Sequence, residues 1–365
     1  MAGIYIHIPF CRSKCYYCDF YSVSRKDLYS RFTDTVIEEW HSRKKDFPDF
    51  STLYIGGGTP SSLPLDELKR LLDLFRHKRF EEATIEVNPD DVNVDLLELL
   101  TDSPINRISM GVQSAVTSEL KSIGRRHDFE AAKKASSLIS DYGFDLSLDL
   151  IYGLPGQTLD SWIFSIQSLL SLNPDHLSCY ILSFEPGTRL ELMRRKGEIF
   201  ETSDTTLETY YRELCSRLSD AGFRHYEISN FAKEGHEAVH NSNYWNFTPY
   251  LGLGPGAHSF DGINRSFNPP SVQNYIKSGG KGFNIVEETL PHDRINDYIM
   301  IRLRTAAGID IGDFSKRFGS ENTEILLSQA KPLISQTLLN RSQSRIAIDE
   351  SHWLISDSII SDLLF

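Results

Sequence analysis

The chain is poor in the features that take a protein to a membrane or onto nucleic acid. Among its 365 residues, no stretch approaches the roughly 20 consecutive apolar residues of a membrane-spanning helix. Positive charge is in deficit: 38 Lys and Arg against 50 Asp and Glu give a formal net charge of −12. The short basic runs SRKK (42–45) and RRK (194–196) read as solvated helix faces, so no basic stripe offers a nucleic-acid footprint. The opening MAGIYIHIPF has neither a basic n-region nor a small-residue cleavage site, and a cytoplasmic location is expected. Cysteine is scarce, at five residues, and three of the five fall within eight positions, which is not a disulfide framework. Internal repeats and low-complexity tracts are missing too.

What is present is an alternation of short apolar runs with longer amphipathic ones. Strands are expected at 4–8, 52–56, 84–88, 106–112, 145–153 and 176–183, and helices near 26–44, 64–77, 94–101, 129–141 and 158–171. Phe32, Val36, Ile37 and Trp40 fall at helical spacing in the first helix; Leu65, Leu68, Leu71, Leu72 and Phe75 form one face of the second. Strict alternation implies parallel βα units, as a doubly wound open sheet or a full or partial β/α barrel. Both carry ligands at the C-terminal strand ends. The pattern changes after about residue 222: 225–262 reads as loops with one or two strands, and 291 onward turns helical, with RIAIDE and HWLIS as a closing hairpin. The expected organisation is therefore 1–222, a connecting region 223–290, and a small α+β unit 291–365.

Cys11, Cys15 and Cys18 in PFCRSKCYYCDF are spaced C-x3-C-x2-C. A structural zinc site wants four ligands, usually as two knuckles, and a [4Fe–4S] electron-transfer cluster wants four thiolates. Cys179, in a strand pattern, and Cys215, in a helix pattern, are isolated and read as core residues. Three thiolates alone suggest an iron–sulfur cluster with one iron left open. This spacing resembles the signature of the radical S-adenosylmethionine (SAM) superfamily. The blocks YIHIPFCRSKCYYCDF, YIGGGTPSSL, TIEVNPD, RISMGVQS, GRRHD, LDLIYGLPGQT and FEPGT run in order from 5 to 188, and HNSNYW and GLGPGAHSF extend to about 260. Together they are similar to its oxygen-independent coproporphyrinogen III oxidase-like family; 291–365 resembles that family's C-terminal domain more weakly.

The resemblance implies an α/β fold, a partial (β/α)6 TIM-like radical SAM barrel with a smaller C-terminal α+β domain. It implies a [4Fe–4S] cluster on Cys11, Cys15 and Cys18 whose fourth iron is chelated by the amino and carboxylate groups of SAM, for cleavage to a 5′-deoxyadenosyl radical by an electron donor such as flavodoxin or ferredoxin. Gly57, Gly58 and Thr59 match contacts to the methionyl part of SAM, and glycine there lets backbone approach a ligand closely. Glu86 and Asp149 match acceptor positions, Gln113 a neutral polar contact, Arg125 a carboxylate partner, and Tyr5 a further SAM contact. Read without the family, GGGTP is a tight turn and the four polar residues are loop caps or surface ion pairs. His7 either faces the cavity or packs on the barrel wall. Tyr16, Tyr17 and Phe20 either shield the cluster or simply pack.

Two activities occur in this family. One is the dehydrogenase, which converts propionates of coproporphyrinogen III to vinyl groups. The other is a haem-chaperone branch, which carries haem as cargo to acceptor proteins, some of them membrane-associated. Dehydrogenases resemble C-x3-C-x2-C-x-C, but Phe20 stands at that further position, and the first strand begins by residue 4 with no long segment before it. HNSNYW (240–245) resembles the H-N-x-x-Y-W block of the chaperones, so His240 is the expected haem ligand with Tyr244 and Trp245 against the porphyrin; His236 and His258 are rival ligands. The alternative is that His240 and Asn241 cap a turn while the aromatics fill an interface. The chaperone is the preferred expectation, the dehydrogenase the second, and a radical SAM enzyme with another substrate the third. The sequence assigns no catalytic residue, and the protein is expected as a monomer or homodimer.

Overall fold

Six strands repeat one pattern, apolar on one face and polar on the other: β1 (Ala2–Ile8), β2 (Phe50–Gly57), β3 (Glu82–Val87), β4 (Arg107–Gln113), β5 (Asp145–Tyr152) and β6 (His176–Ile181). They pair in parallel in that order. The structure is a computed structural model describing residues 1–47, 49–288 and 290–365. Ile4, Ile6, Ile8, Leu53, Ile55, Ile85, Ile108, Met110, Leu148, Leu150 and Leu177 are fully buried on the apolar face, in one core with the residues of the covering helices. Each such side chain contributes about 1.5–3 kcal/mol by leaving water. The opposite face carries Tyr5 and His7, Thr52 and Tyr54, Thr84 and Glu86, Ser109, Ser147 and Asp149, and His176 and Ser178.

The covering helices are Tyr29–Arg43, Leu65–Asp73, Val94–Thr101, Phe129–Asp141 and Leu159–Leu170. Asn93, Asp128 and Thr158 begin three of them by accepting the backbone N–H three residues on. Leu68, Leu71, Leu72 and Phe75 pack inward as the periodicity requires, whereas Leu65, at the first turn, is 37% exposed.

The stretch 225–262, expected as loops with one or two strands, and the residues after it instead supply six strands among the described residues of 223–290: β7 (Arg224–Glu227), β8 (Asn230–Ala232), β9 (Tyr250–Leu253), β10 (His258–Phe260), β11 (Arg265–Phe267) and β12 (Ile285–Val286). They extend both edges of one sheet, ordered β12-β11-β10-β9-β1-β2-β3-β4-β5-β6-β8-β7, which stays open. β9 runs parallel to β1 and β8 antiparallel to β6. These strands are two to four residues long, too short for periodicity to reveal. The HNSNYW motif lies on a helix, Val239–Trp245, and not in a turn.

The C-terminal region has the helices Pro291–Arg302 and Ile311–Ser335 and a small antiparallel sheet of β13 (Ile309–Asp310), β14 (Leu339–Arg341) and β15 (Arg345–Ile348). RIAI is a strand as expected, but its hairpin partner is β14, and HWLI lies in a 3-10 helix, Glu350–Ile355. Asp349 caps that turn through the Ser351 N–H, and Trp353 is buried with its indole N–H donated to the Ile348 carbonyl, which the strand reading of HWLIS did not allow for. Among the described residues, no helix is long and apolar enough to cross a membrane.

Candidate functional site

The loop that leaves β1 carries all three clustered cysteines, and it is held against the loop that leaves β2. Gly58 and Thr59 donate their backbone N–H groups to the carbonyls of Ile8 and Phe10, each at 2.8 Å. A Cβ on Gly58 would lie 2.6 Å from the Phe10 oxygen and 3.0 Å from Cys11 Sγ, so the approach requires glycine. Gly57 has φ +108°, and a Cβ there would lie 2.7 Å from His7 Nδ1. His7 itself is buried, bridging the Tyr5 hydroxyl at 3.1 Å and the Tyr21 carbonyl at 3.0 Å, so it braces the cysteine loop from beneath.

Above this brace lies a cavity of about 450 Å³ at the C-terminal strand ends, lined by Cys11, Cys15 and Cys18, by Gly57, Gly58 and Thr59, and by Glu86, Gln113, Arg125 and Asp149. Of the residues singled out for cluster and SAM, Tyr5 alone lies outside it, one layer down. Glu86 accepts from the Tyr54 hydroxyl at 2.8 Å and the Gly57 N–H at 3.2 Å. Burial pushes its carboxyl up to about 7, and Asp149 up to about 6, where Ser178 and Arg125 temper the effect. Arg125 donates to the Gly111 carbonyl, to Asn88 Oδ1 at 2.9 Å and toward Cys15 Sγ at 3.6 Å. Thr59 Oγ1 stands 3.4 Å from Cys11 Sγ and 3.3 Å from Asn88 Nδ2.

Three features fit a bound cluster and a polar organic ligand. The thiols of Cys11 and Cys18 are raised by burial, Cys18 to about 11, and a metal supplies the charge their thiolates need. Groups of three ligating side chains that converge within 4.8 Å occur among the described residues at Cys215, His225 and Glu350 and at Asp145, Asp175 and His236, and the cysteine loop is not one of them. At least one pair of its sulfurs therefore lies more than 4.8 Å apart, wider than ligands on one zinc ion with Zn–S bonds of about 2.3 Å. Gln113 Oε1 and Arg125 Nε are also buried there without hydrogen-bond partners among the described residues. Gln113 adopts φ +72°, an uncommon conformation for a residue other than glycine, where β4 shifts register against β5.

Sequence reasoning passed over Asn88 and Tyr54. Asn88 ties Arg125 to Thr59 from the end of β3, inside TIEVNPD, and Tyr54 sits on the polar face of β2 beside Glu86. The period-two alternation was the available signal. Of the aromatics near the cysteines, Tyr17 lines the cavity, Tyr16 packs under the Arg189 guanidinium at 3.8 Å, and Phe20 is 64% exposed at the mouth.

The haem candidates lie elsewhere. Glu82 accepts the backbone N–H groups of Val239 at 2.7 Å and His240 at 3.2 Å, fixing the start of the HNSNYW helix against β3. His240 is buried, with Nδ1 2.9 Å from Thr52 Oγ1 and Nε2 2.8 Å from the Tyr244 hydroxyl, and its ring stacks on Tyr54 with centroids 5.2 Å apart. His240 does not line the cavity, but the Tyr54 ring links the two, stacked on His240 at one end and donating its hydroxyl to the cavity-lining Glu86 at the other. The indole N–H of Trp245 is buried and finds no partner among the described residues. His258 is exposed on β10 beside Phe267, and His236 stands 3.5 Å from Asp145; neither lines the cavity.

Residues 5–169 match the model of the radical SAM superfamily, and 290–355 that of the HemN C-terminal domain. The chain is 33% identical over 377 residues to the heme chaperone HemW of Bacillus subtilis (strain 168), covering 100% of this chain and 99% of that one. It is 32% identical to the heme chaperone HemW of Lactococcus lactis (99% and 96% covered) and 37% identical to that of Escherichia coli K12 over 266 residues (70% and 69%). The solved coproporphyrinogen III oxidase (HemN) of Escherichia coli, described as a radical SAM enzyme, superposes with a TM-score of 0.84 at 23% identity, covering 99% of this chain and 89% of that one, which shows a shared fold. By its cysteine loop, its sheet and this full-length similarity, the chain belongs to the radical SAM superfamily, in the family of the HemW heme chaperones.

Proposed function

We propose that this protein is a haem chaperone that binds haem as cargo and passes it to acceptor proteins, and that its [4Fe–4S] cluster and SAM occupy the cavity at the C-terminal strand ends. Cys11, Cys15 and Cys18 hold the cluster. Arg125 pairs with the SAM carboxylate, Glu86 and Asp149 accept from its ammonium and hydroxyl groups, and Gln113 Oε1 gains the partner it lacks. Tyr17 keeps water off one wall. Cluster and SAM together supply one-electron chemistry at a sulfonium carbon, with flavodoxin or ferredoxin as the class of electron donor. The three units 1–222, 223–290 and 291–365 are read as barrel, haem-binding connection and C-terminal domain; the match at 290–355 supports the second boundary.

The observation that carries the haem reading is the HNSNYW helix, in a chain similar over its whole length to heme chaperones. His240 is the iron ligand in this reading. Its Nδ1–H is donated to Thr52, which leaves a lone pair on Nε2, and Nε2 exchanges the Tyr244 hydroxyl for iron. Acceptor proteins, including membrane-associated ones, receive the haem from a cytoplasmic carrier. The test is haem titration of the cluster-loaded protein beside incubation with SAM, reductant and coproporphyrinogen III. A Soret band that survives desalting and is lost in His240→Ala supports the chaperone; a vinyl-bearing product overturns it in favour of the dehydrogenase.

A further inference from the structure

Cys215 has a setting that simple core packing does not explain. It lies on the helix Asp204–Asp220, beside His225 of β7, and both face Glu350 of the C-terminal 3-10 helix. Cys215 Sγ is 4.0 Å from His225 Nδ1, His225 Nδ1 is 2.9 Å from Glu350 Oε1, and one ligand atom from each of the three lies within 4.8 Å of the others. We propose that Cys215, His225 and Glu350 form a binding site for one zinc-class divalent ion, separate from the cysteine loop, that clamps the C-terminal region onto the edge of the main sheet.

The arrangement is built, not incidental. The register of β7 against β8 shifts between His225 and Glu227, and such a bulge re-aims the side chain beside it. The His225 ring is then locked, stacked on Phe231 with centroids 3.8 Å apart and an interplanar angle of 14°, and closed by Trp353 edge-on at 4.3 Å. Its Nε2 is buried and finds no hydrogen-bond partner among the described residues, so the polar contacts of the ring all lie on the Nδ1 side, toward Cys215 and Glu350. Tyr211, one helical turn before Cys215, donates its hydroxyl to the Glu350 carbonyl at 3.1 Å and so fixes the backbone that carries the carboxylate.

The donor set chooses the metal. A thiolate, an imidazole and a carboxylate suit a borderline ion in tetrahedral coordination, not magnesium or calcium. Glu350 is 57% exposed, which leaves the fourth position open to water. On binding, the Cys215 thiol releases its proton to solvent, and the proton that Nδ1 now donates to Glu350 passes through solvent to Nε2, so that the imidazole presents the Nδ1 lone pair to the metal while Glu350 frees a carboxylate oxygen. The second convergent group, Asp145, Asp175 and His236, is a poorer candidate because Lys233 Nζ already stands 3.9 Å from Asp175.

The test uses the full-length protein with its cluster reconstituted, so that iron occupies the cysteine loop. It is incubated with zinc, desalted, and analysed for zinc and iron separately. About one zinc per chain is expected, with zinc-edge absorption showing one sulfur and otherwise nitrogen and oxygen ligands. Cys215→Ser should remove the sulfur signal. Glu350→Gln, a surface change that leaves folding alone, should weaken retention by more than the roughly tenfold lost with an outer-sphere partner. Zinc should raise the melting temperature of the parent and of neither variant. Failure of the parent to retain zinc, or equal retention in Glu350→Gln with several sulfurs around the metal, overturns the proposal.

Discussion

Replacing Tyr244 by Phe should make the protein bind haem more tightly. The substitution keeps the ring, and with it any stacking on a porphyrin, and removes only the hydroxyl that occupies His240 Nε2 at 2.8 Å. A hydrogen bond of this kind has a net worth of about 0.5–1.5 kcal/mol, which is what iron must displace in the parent. Without it the haem dissociation constant should fall by about two- to twelvefold, at roughly 1.4 kcal/mol per tenfold. The haem-free variant lacks that same hydrogen bond and should lose the same amount of stability, about 0.5–1.5 kcal/mol, so the melting temperature should drop before haem is added and recover after it. The assay is Soret titration of parent, Tyr244→Phe and the double variant with His240→Ala, each followed by thermal unfolding with and without haem. Unchanged or weaker binding in Tyr244→Phe, or tight binding that persists once His240 is removed, refutes His240 as the ligand.

Cys15→Ala should abolish the broad visible absorbance and the iron content of the reconstituted protein; if both survive, the ligand set is misassigned. Gly58→Ala pushes a methyl against the Phe10 and Ile8 carbonyl oxygens, at 2.6 and 2.9 Å, and these cannot move without the strand. It should cost about 1–3 kcal/mol in denaturant unfolding and lower cluster yield, and wild-type behaviour in both would contradict the close approach described. His127, buried, donates from Nε2 to the Val112 carbonyl, and burial pushes its imidazole down to about 4, with the Arg125 charge adding to the effect. Because the folded value lies below the ordinary 6.5, the native state resists the proton that the unfolded chain accepts. Up to about 3 kcal/mol of stability present above pH 6.5 should be lost as pH falls toward 4. Urea unfolding of the cluster-free chain at pH 7 and 4.5 should show His127→Gln losing less stability than the parent, with the rest of the slope left to the other buried histidines, His7, His176 and His240; an equal loss in both would contradict the shift.

The parallel core was legible because its strands are apolar runs long enough to count and its helices repeat apolar residues at helical spacing; the caps Asn93, Asp128 and Thr158 were there to be read and were passed over. The cavity was legible through residues at or near strand ends, a place where parallel sheets gather ligands. Two kinds of feature were hidden. Strands of two to four residues, such as β8 and β12, carry no measurable period and are defined by the neighbours they pair with. Contacts between distant segments, such as Glu82 beneath the HNSNYW helix or Glu350 beside His225, leave no local trace. HWLIS misled for a related reason: its apolar residues satisfy a strand pattern, but Asp349 caps a turn there and Trp353 finds its acceptor in β15.

The alternation along β1–β6 divides labour by residue parity. Odd positions of the first strand, and their equivalents along the next five, set what the molecule can hold; the intervening ones set whether it survives. A deep substitution survey read once by cellular abundance and once by cofactor or haem occupancy should therefore return two interleaved maps, nearly complementary along every one of these segments. Such a division lets cargo preference drift between relatives without eroding the scaffold.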